Sequence, residues 1–97
     1  MMTKGGAVYI LTNKNNNVLY TGVTRNLPVR MYQHKFKNYH IAFTSRYSVN
    51  KLVYYKRFHS IVEAIAEEKR IKLGSRKYKI ILVETSNPNW DDLSIQL

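Results

Sequence analysis

Five polar residues of this chain are of the kinds that break phosphodiester bonds, and they are spread over most of its length. They are two tyrosines, an arginine, a histidine and a glutamate: Tyr9, Tyr20, Arg30, His34 and Glu68. A tyrosine or a histidine can carry a proton, a guanidinium fork suits phosphate oxygens, and a carboxylate can hold a divalent cation. Together they predict a site for metal-dependent phosphodiester cleavage, provided that the fold brings them onto one surface.

Charge is distributed unevenly along the chain. Residues 1–62 contain ten Lys or Arg and no Asp or Glu, whereas residues 63–97 contain six basic and six acidic residues. A field of one sign attracts polyanions, which predicts a nucleic-acid partner. We expect this partner to be DNA in preference to RNA. A generally basic protein, or contact with an anionic membrane, is the less favoured explanation because no basic helix with a strong apolar face is evident. The predicted nucleic-acid contacts are five cations of this stretch: Arg25, Lys35, Lys37, Arg46 and Lys51.

The bulk composition limits the architecture. Ninety-seven residues with 44% apolar content suit one compact domain, with a core expected over about 6–84 and a tail over 85–97. The absence of cysteine excludes disulfides and thiolate zinc sites. The sequence has neither an apolar signal-peptide core nor a run near the roughly 18 apolar residues of a membrane span. We therefore expect a soluble, cytoplasmic protein without a membrane partner.

The two tyrosines fall in a predicted β-hairpin. The β-rich runs 7–12 and 18–24 flank an asparagine-rich stretch, and asparagine tolerates the left-handed backbone of a turn. A four-residue loop would set Tyr9 directly opposite Tyr20 on one face, whereas a five-residue loop would offset the pairing. Gly22, two residues after Tyr20, would leave room for a ligand to approach the backbone. Tyrosine is also an ordinary strand residue, so packing alone could explain the pair.

A first helix is predicted after the hairpin. Asn26 is its candidate N-cap, and the helix should run to about residue 37. The residues expected to face inward are Leu27, Met31 and Tyr32. Arg30 and His34 are four residues apart and therefore share one side of this helix. Taken alone, that pair also fits two solvated polar residues, and it gains force only if this side meets the tyrosine face of the hairpin.

The second half of the chain predicts one more strand and a capped helix. The strand covers 51–58 and the helix about 61–73. Ser60 and Glu63 have the spacing of a capping box at the head of that helix, and Gly74 suits the C′ position that follows it.

A last helix and a tail complete the predicted order of elements. Ser75 can cap the last helix. The residues expected on its apolar face are Tyr78, Ile81 and Leu82. In the tail, Trp90 and Leu93 should pin the chain back onto the body, and residues 38–49 predict a loop with a short helical turn.

Glu68 is the anomalous residue of the helix at 61–73. The inward stripe of this helix, at spacings of three and four, is Ile61, Ala64, Ile65, Glu68 and Ile71 or Lys72. A carboxylate in such a stripe is unfavourable unless an ion pair, hydrogen bonds or a metal compensates it. The plainer alternative is that Glu68 lies at the edge of the stripe and pairs with Lys72 at i+4, and the stripe alone favours that alternative slightly.

The order and spacing of these residues resemble the GIY-YIG nuclease superfamily, and in particular its small stand-alone bacterial members, the YhbQ-like family. The matching segments cover nearly the whole chain: Val8-Tyr9, Tyr20-Thr21-Gly22-Val23-Thr24, Leu27 with Arg30, His34, Leu52-Val53-Tyr54-Tyr55, Glu63-Ala64, Glu68-Lys69, Ile71-Lys72 and Asn87-Pro88-Asn89-Trp90-Asp91-Asp92-Leu93. Three motif residues differ, since Ala7-Val8-Tyr9 stands where the family has Gly-Ile-Tyr and Thr21 stands where isoleucine is usual. Both motifs keep the tyrosine.

The resemblance implies an α/β fold of the α+β type, with a three-stranded antiparallel sheet flanked by helices. It also implies an endonuclease that acts on nucleic acid, with DNA repair or recombination as its setting. By this resemblance Tyr9 and Tyr20 are the motif tyrosines, Arg30 binds phosphate, His34 is the helix histidine and Glu68 binds the metal.

The scarcity of acids favours one metal ion over two. Two-metal sites need several bridging carboxylates, and Glu68 is the single acid placed for the role, so we expect one Mg²⁺, with Mn²⁺ as the alternative. Tyr9 is the preferred general base, although the two tyrosines could exchange roles. Arg30 and His34 would then have to lower the Tyr9 pKa from its ordinary value near 10.

Two explanations without catalysis stay open at this point. One is a nucleic-acid-binding module on a nuclease scaffold, and the other is an accessory protein that binds another protein. Retention of Glu68 favours the enzyme, because a binder has no need of a carboxylate facing a phosphate.

Overall fold

The computed structural model describes residues 5–36 and 47–97 and contains a three-stranded antiparallel sheet with helices on both faces. The elements are β1 (Gly6–Thr12), β2 (Leu19–Thr24), α1 (Leu27–Phe36), β3 (Lys51–Phe58), α2 (Ile61–Leu73), α3 (Arg76–Ser86) and a short 3-10 helix (Leu93–Gln96). The strand order is β2-β1-β3, so the first strand is central and both its neighbours run antiparallel to it. The expected α+β architecture is confirmed.

The hairpin loop is longer than the four or five residues considered from the sequence, so the strand register differs as well. Thr12 pairs with Leu19, so the loop spans residues 13–18, and Tyr9 lies opposite Gly22 while Tyr20 lies opposite Leu11. The asparagines set this loop, because Asn13 Oδ1 accepts hydrogen bonds from the backbone N–H groups that close it, at 3.0 and 3.3 Å. The tyrosines therefore share one face, as expected, but as diagonal neighbours and not as a directly opposed pair.

Helix α1 does not bury against the sheet the same residues that its apolar side chains predict. Asn26 caps it as expected, with Oδ1 accepting from the Val29 N–H at 3.2 Å. The buried residues are Leu27, Met31 and His34, whereas Tyr32 is 55% exposed. The prediction for Tyr32 was wrong because the stripe continues at i+4 and i+7 from Leu27, and the histidine occupies that last position.

The caps of α2 and α3 are serines, as predicted. Ser60 Oγ accepts from the Val62 N–H at 3.1 Å and Ser75 Oγ accepts from the Tyr78 N–H at 3.0 Å. Gly74 is not the left-handed C′ residue that was predicted, because its φ of −75° and ψ of 163° are extended. An extended residue here lets the chain turn directly into the next N-cap.

The two faces of the sheet carry separate apolar clusters. The cluster under α1 contains Ala7, Tyr9, Leu11, Leu27, Met31, Val49 and Leu52. The cluster under α2 and α3 contains Val8, Ile10, Val53, Ala64, Ile71 and Val83. A bulge between Ile10 and Leu11 in the pairing with β3 keeps both sets on their own faces. Ile65 and Ile81, expected to face inward, are partly exposed at 37% and 53%.

The C-terminal tail is fastened to the sheet, as expected for Trp90 and Leu93. Trp90 packs against the cluster under α2 and α3, and Leu93 packs against the cluster under α1. Buried Asn87 adds a polar anchor, since its Nδ2 donates to the Val53 carbonyl oxygen at 3.1 Å.

The loop predicted at 38–49 lies outside the described residues except for its last three, a turn at 47–48 followed by buried Val49. No helix within 5–36 or 47–97 is long and apolar enough to cross a membrane.

Candidate active site

Tyr9 is the centre of the predicted site and is fully buried on the central strand. Its phenol lies over Gly22 on the neighbouring strand: a methyl group added at Gly22 would lie 2.4 Å from both Cζ and Oη of Tyr9. The space that Gly22 leaves is thus filled by Tyr9 and not open to a ligand, which corrects the expectation from sequence. Glycine is required here by a close approach between two parts of the same sheet.

Arg30 and His34 meet the phenol from α1, so the side of the helix they share does face the tyrosines. Tyr9 Oη lies 3.1 Å from His34 Nε2, and Arg30 Nη1 donates to Tyr9 Oη at 3.5 Å. The phenol oxygen thus accepts from Arg30 and shares a hydrogen bond with the His34 imidazole. Arg30 and His34 are therefore not two independently solvated residues, since both contact Tyr9.

Tyr20 completes an aromatic cluster with the same two residues. Its ring centroid lies 6.4 Å from that of Tyr9 and 5.9 Å from that of His34, and the Tyr9 and His34 rings are 5.8 Å apart in an edge-to-face arrangement. Tyr20 is partly exposed whereas Tyr9 and His34 are buried. Of the two motif tyrosines, Tyr20 is therefore the one nearer to solvent.

Burial dominates the protonation states of this cluster. Desolvation raises the pKa of Tyr9 to about 12; the nearby Tyr20 and the negative charge of Glu68 add to the rise, and Arg30 opposes it. Desolvation also lowers the pKa of His34 to about 4, with the Arg30 charge acting in the same direction. The expectation that Arg30 and His34 would act as two cations favouring the Tyr9 phenolate is wrong for this structure, since His34 is neutral at neutral pH.

Glu68 occupies the position that its stripe predicts and also forms the predicted ion pair. It lies on the buried side of α2 with 9% of its surface exposed, and its Oε2 is 2.7 Å from Lys72 Nζ. Its charge raises the Tyr9 pKa, which places the carboxylate within electrostatic range of the phenol. Glu68 is thus a buried carboxylate whose charge is compensated by the lysine at i+4.

The residues present fit one weakly held divalent cation. Across 5–36 and 47–97 there is no group of three or more His, Asp or Glu side chains that could hold a metal ion. A single carboxylate suffices for Mg²⁺ when waters and a substrate phosphate complete its ligands. Lys72 at Glu68 is a flexible, half-exposed cation, so an arriving metal ion can replace it.

Of the five predicted nucleic-acid contacts, the structure describes three, and these lie in different surroundings. Arg25 lines an open cleft at one end of the sheet, and Lys51 is half-buried at the other end. Lys35 is paired with Asp92 at 2.7 Å and also donates to the Asn50 carbonyl oxygen at 3.1 Å. It therefore anchors the tail in addition to carrying charge. Lys37 and Arg46 lie outside the described residues.

Arg57 and His59 line the same cleft as Arg25, although neither is among the contacts predicted from the sequence. Strand parity could have found the first, because Arg57 is two residues from Tyr55, which lies opposite Tyr9 on the same face. The histidine lies beyond the end of β3, where alternation no longer predicts direction.

The chain is similar to known proteins in sequence and in fold. The GIY-YIG catalytic domain family matches residues 5–80. The solution NMR structure of the UPF0213 protein BH0048 from Bacillus halodurans is similar to this chain, with 27% sequence identity, 91% of this chain and 92% of that chain covered, and a TM-score of 0.55. No curated protein matches.

Proposed function

Because the chain belongs to the GIY-YIG catalytic domain family, we propose that it is an endonuclease that hydrolyses phosphodiester bonds with the help of one divalent cation. The observation that carries the proposal is the hydrogen-bonded set of Tyr9, Arg30 and His34 beside the ring of Tyr20. The acid-free basic stretch supports nucleic acid as the substrate, with DNA preferred and repair or recombination as the setting.

Arg30 is suited to bind the scissile phosphate. One of its five N–H donors is used on Tyr9 Oη, which fixes the guanidinium while its fork can still contact phosphate oxygens. A fixed cation of this kind stabilises the negative charge that develops on phosphorus during attack.

The two tyrosines are assigned different tasks because their surroundings differ. Burial and a pKa of about 12 support Tyr9 as a neutral phenol that holds Arg30 and receives its own orientation from His34. Partial exposure supports Tyr20 as the residue that contacts the attacking water and, as a phenolate, takes its proton to become a phenol. This assignment exchanges the roles preferred from sequence alone.

Glu68 would hold the divalent ion, Mg²⁺ or Mn²⁺. When bound, such an ion supplies positive charge that favours ionisation of nearby acids and stabilises the leaving oxygen. When no metal ion is bound, the Lys72 ammonium group supplies a weaker positive charge at Glu68 through their ion pair.

The experiment that tests the proposal is nicking of supercoiled plasmid with Mg²⁺ or Mn²⁺ by purified variants. Tyr20→Phe, Arg30→Gln and Glu68→Gln should each lower the rate by about 100-fold or more, in the range seen when a transition-state contact is removed. The matched controls Tyr32→Phe and Glu63→Gln change exposed residues of the same type and should cleave at the wild-type rate. Equal activity in site and control variants would refute the assignment.

One observation favours a second candidate, a nucleic-acid-binding module without turnover. The Glu68–Lys72 ion pair neutralises the carboxylate without any metal. Titration of the protein with Mg²⁺ by NMR separates the two: the nuclease requires shifts at Glu68 and its neighbours at millimolar metal, and the binding module requires none.

A further inference from the structure

A second cationic surface lies at the end of the sheet beyond Tyr9. A cleft of about 410 Å³ is lined by residues 5–7, Arg25 and residues 57–59, and we call it the Arg57 cleft. Two guanidinium groups and an imidazole line it, and no acidic side chain does. Its size is within the range of sites that hold ligands.

Within residues 5–36 and 47–97, no ion pair engages the two arginines of the Arg57 cleft. In the parts of the chain that the structure describes, the ion pairs engage Lys35, Arg70 and Lys72. Arg25 and Arg57 take part in none of them. Two uncompensated guanidinium groups at one recess repel each other, and an anion between them would relieve that repulsion.

The sheet register connects this cleft to the candidate active site. Arg57 lies opposite Ala7, and Tyr55 lies opposite Tyr9, so these four side chains belong to one face in two successive rows. Rows two residues apart on a strand are separated by about 6.6 Å. The Arg57 guanidinium also packs over the Tyr55 ring, 5.5 Å from its centroid, which brings the charge back toward Tyr9.

We propose that the Arg57 cleft binds a phosphate of the nucleic-acid strand, next along the strand from the phosphate held at Arg30. The inference rests on the proposed function, because it takes Arg30 as the reference position. Arg25 lies between β2 and α1, the helix that carries Arg30. One short segment therefore positions both arginines.

The recessed shape of the Arg57 cleft fits a phosphodiester group better than a flat anionic surface. Part of the lining is small, since Gly5 and Gly6 carry no side chain and Ala7 carries one methyl group. The guanidinium forks match phosphate oxygens in geometry as well as in charge. Half-buried Phe58 adds an apolar wall that a sugar or base could contact.

The test measures binding without cleavage. Fluorescence anisotropy with a labelled single-stranded 12-nucleotide DNA, in EDTA and at several KCl concentrations, compares wild type with the double variant Arg25→Gln/Arg57→Gln. The matched control is Lys69→Gln/Lys77→Gln, which removes the same charge from exposed positions on α2 and α3. Circular dichroism and thermal melting establish that all three proteins are folded.

The cleft variant should bind about tenfold more weakly, and its plot of log affinity against log salt should be shallower by about 0.7 for one lost single-strand phosphate contact. The control should stay within about twofold of wild type and keep its slope. Equal weakening of both variants would overturn the proposal, since only net charge would then matter. A wild type that binds no DNA would overturn both the cleft and the proposed function.

A second measurement needs no variant. Titration with the trinucleotide TpTpT, followed by NMR, should shift the amides of residues 57–59 with the same dissociation constant as those near Arg30. Shifts confined to the Arg30 side would overturn the cleft and leave the nuclease standing. Shifts at both places without plasmid cleavage in Mg²⁺ would support the cleft and count against the nuclease.

Discussion

The two faces of the sheet are built from different chemistry. Toward α1 the buried set includes the Tyr9 phenol and the His34 imidazole, joined by a hydrogen bond. Toward α2 and α3 the buried set is aliphatic, with Val8, Ile10 and Ile71 among its members. The charged side chain buried on α2 is Glu68, and it is paired with a lysine.

The difference shows that one face is stabilised by aliphatic packing, whereas the other also buries the hydrogen-bonded Tyr9 and His34. Apolar burial on the α2–α3 face is favourable by itself. Burial of the phenol and imidazole moves both pKa values away from neutrality, to about 12 and about 4, so both groups stay uncharged under the sheet. The α1 face is therefore expected to respond to pH and to small steric changes, and the α2–α3 face to loss of volume.

The largest effect is expected from a cavity on the α2–α3 face. Ile71→Ala should lower the free energy of unfolding by about 3 kcal/mol, because it removes a fully buried side chain from a packed cluster. Urea denaturation measures the loss. The control Ile65→Ala, on the same helix but 37% exposed, should cost less than about 1 kcal/mol. The Ile71→Ala protein that remains folded should still cleave DNA at the wild-type rate. A loss of cleavage would contradict the separation of roles between the two faces.

Acid should act through the α1 face. The His34 pKa is about 4 in the folded protein against 6.5 ordinarily, so between these values the unfolded chain binds a proton that the folded chain does not. Stability should therefore fall as the pH drops from 6.5 to 4, by up to about 3 kcal/mol from this residue. Urea midpoints across that range give the slope.

Two histidine variants isolate this contribution. His34→Gln should flatten the slope, although it also costs stability at pH 7 by removing the Tyr9 partner. His59→Gln changes an exposed histidine and should keep the wild-type slope. The burial argument fails if the His34 variant retains the full dependence.

A methyl group at Gly22 should damage the α1 face selectively. Gly22→Ala places Cβ 2.4 Å from Tyr9 Oη, and the overpacking should cost about 1–3 kcal/mol and displace the phenol from Arg30 and His34. Cleavage should fall much more than stability explains, as shown by rates per folded molecule. Gly74→Ala is the matched control, because there the methyl meets the edge of the half-buried Tyr78 ring at an allowed backbone conformation. Wild-type cleavage by Gly22→Ala would contradict the role given to Tyr9.

The smallest stability effect is expected at Lys72. Lys72→Gln removes a surface i,i+4 partner and should change the free energy of unfolding by about 0.5 kcal/mol. It should nevertheless tighten binding of Mn²⁺ or Mg²⁺, measured calorimetrically, because the competing cation at Glu68 is gone. The control Lys69→Gln should alter neither quantity. Unchanged metal affinity in both variants would mean that Glu68 does not hold the ion.

Much of the fold follows from local sequence signals. The strands, the caps at Asn26, Ser60 and Ser75, and the tail contacts of Trp90 all arise from short-range chemistry that the sequence displays directly. The misplacements have a common cause. Tyr32 and Ile81 were assigned inward by residue type, whereas their exposure depends on how each helix is rotated against the sheet. Rotation is decided by all the residues of the contact together.

The candidate site was predictable as a set of residues and not as an arrangement. The spacing of Tyr9, Arg30 and His34 identified the set, and the shared helix side followed from periodicity. The diagonal placement of the tyrosines required the register, which Asn13 fixes through hydrogen bonds in the loop. Recognising the Arg57 cleft required the pairing register of β3, and also the positions of Arg25 and residues 57–59 at the end of the sheet.

The sequence by itself determined the charge segregation, the order of elements and the family to which the chain belongs, because these depend on residue identity and spacing alone. Only the tertiary structure decided that Gly22 makes room for Tyr9 and that His34 is buried and neutral. The physical reason is desolvation. A pKa or a steric limit depends on which atoms replace water around a side chain, and that is known only when distant segments have packed together.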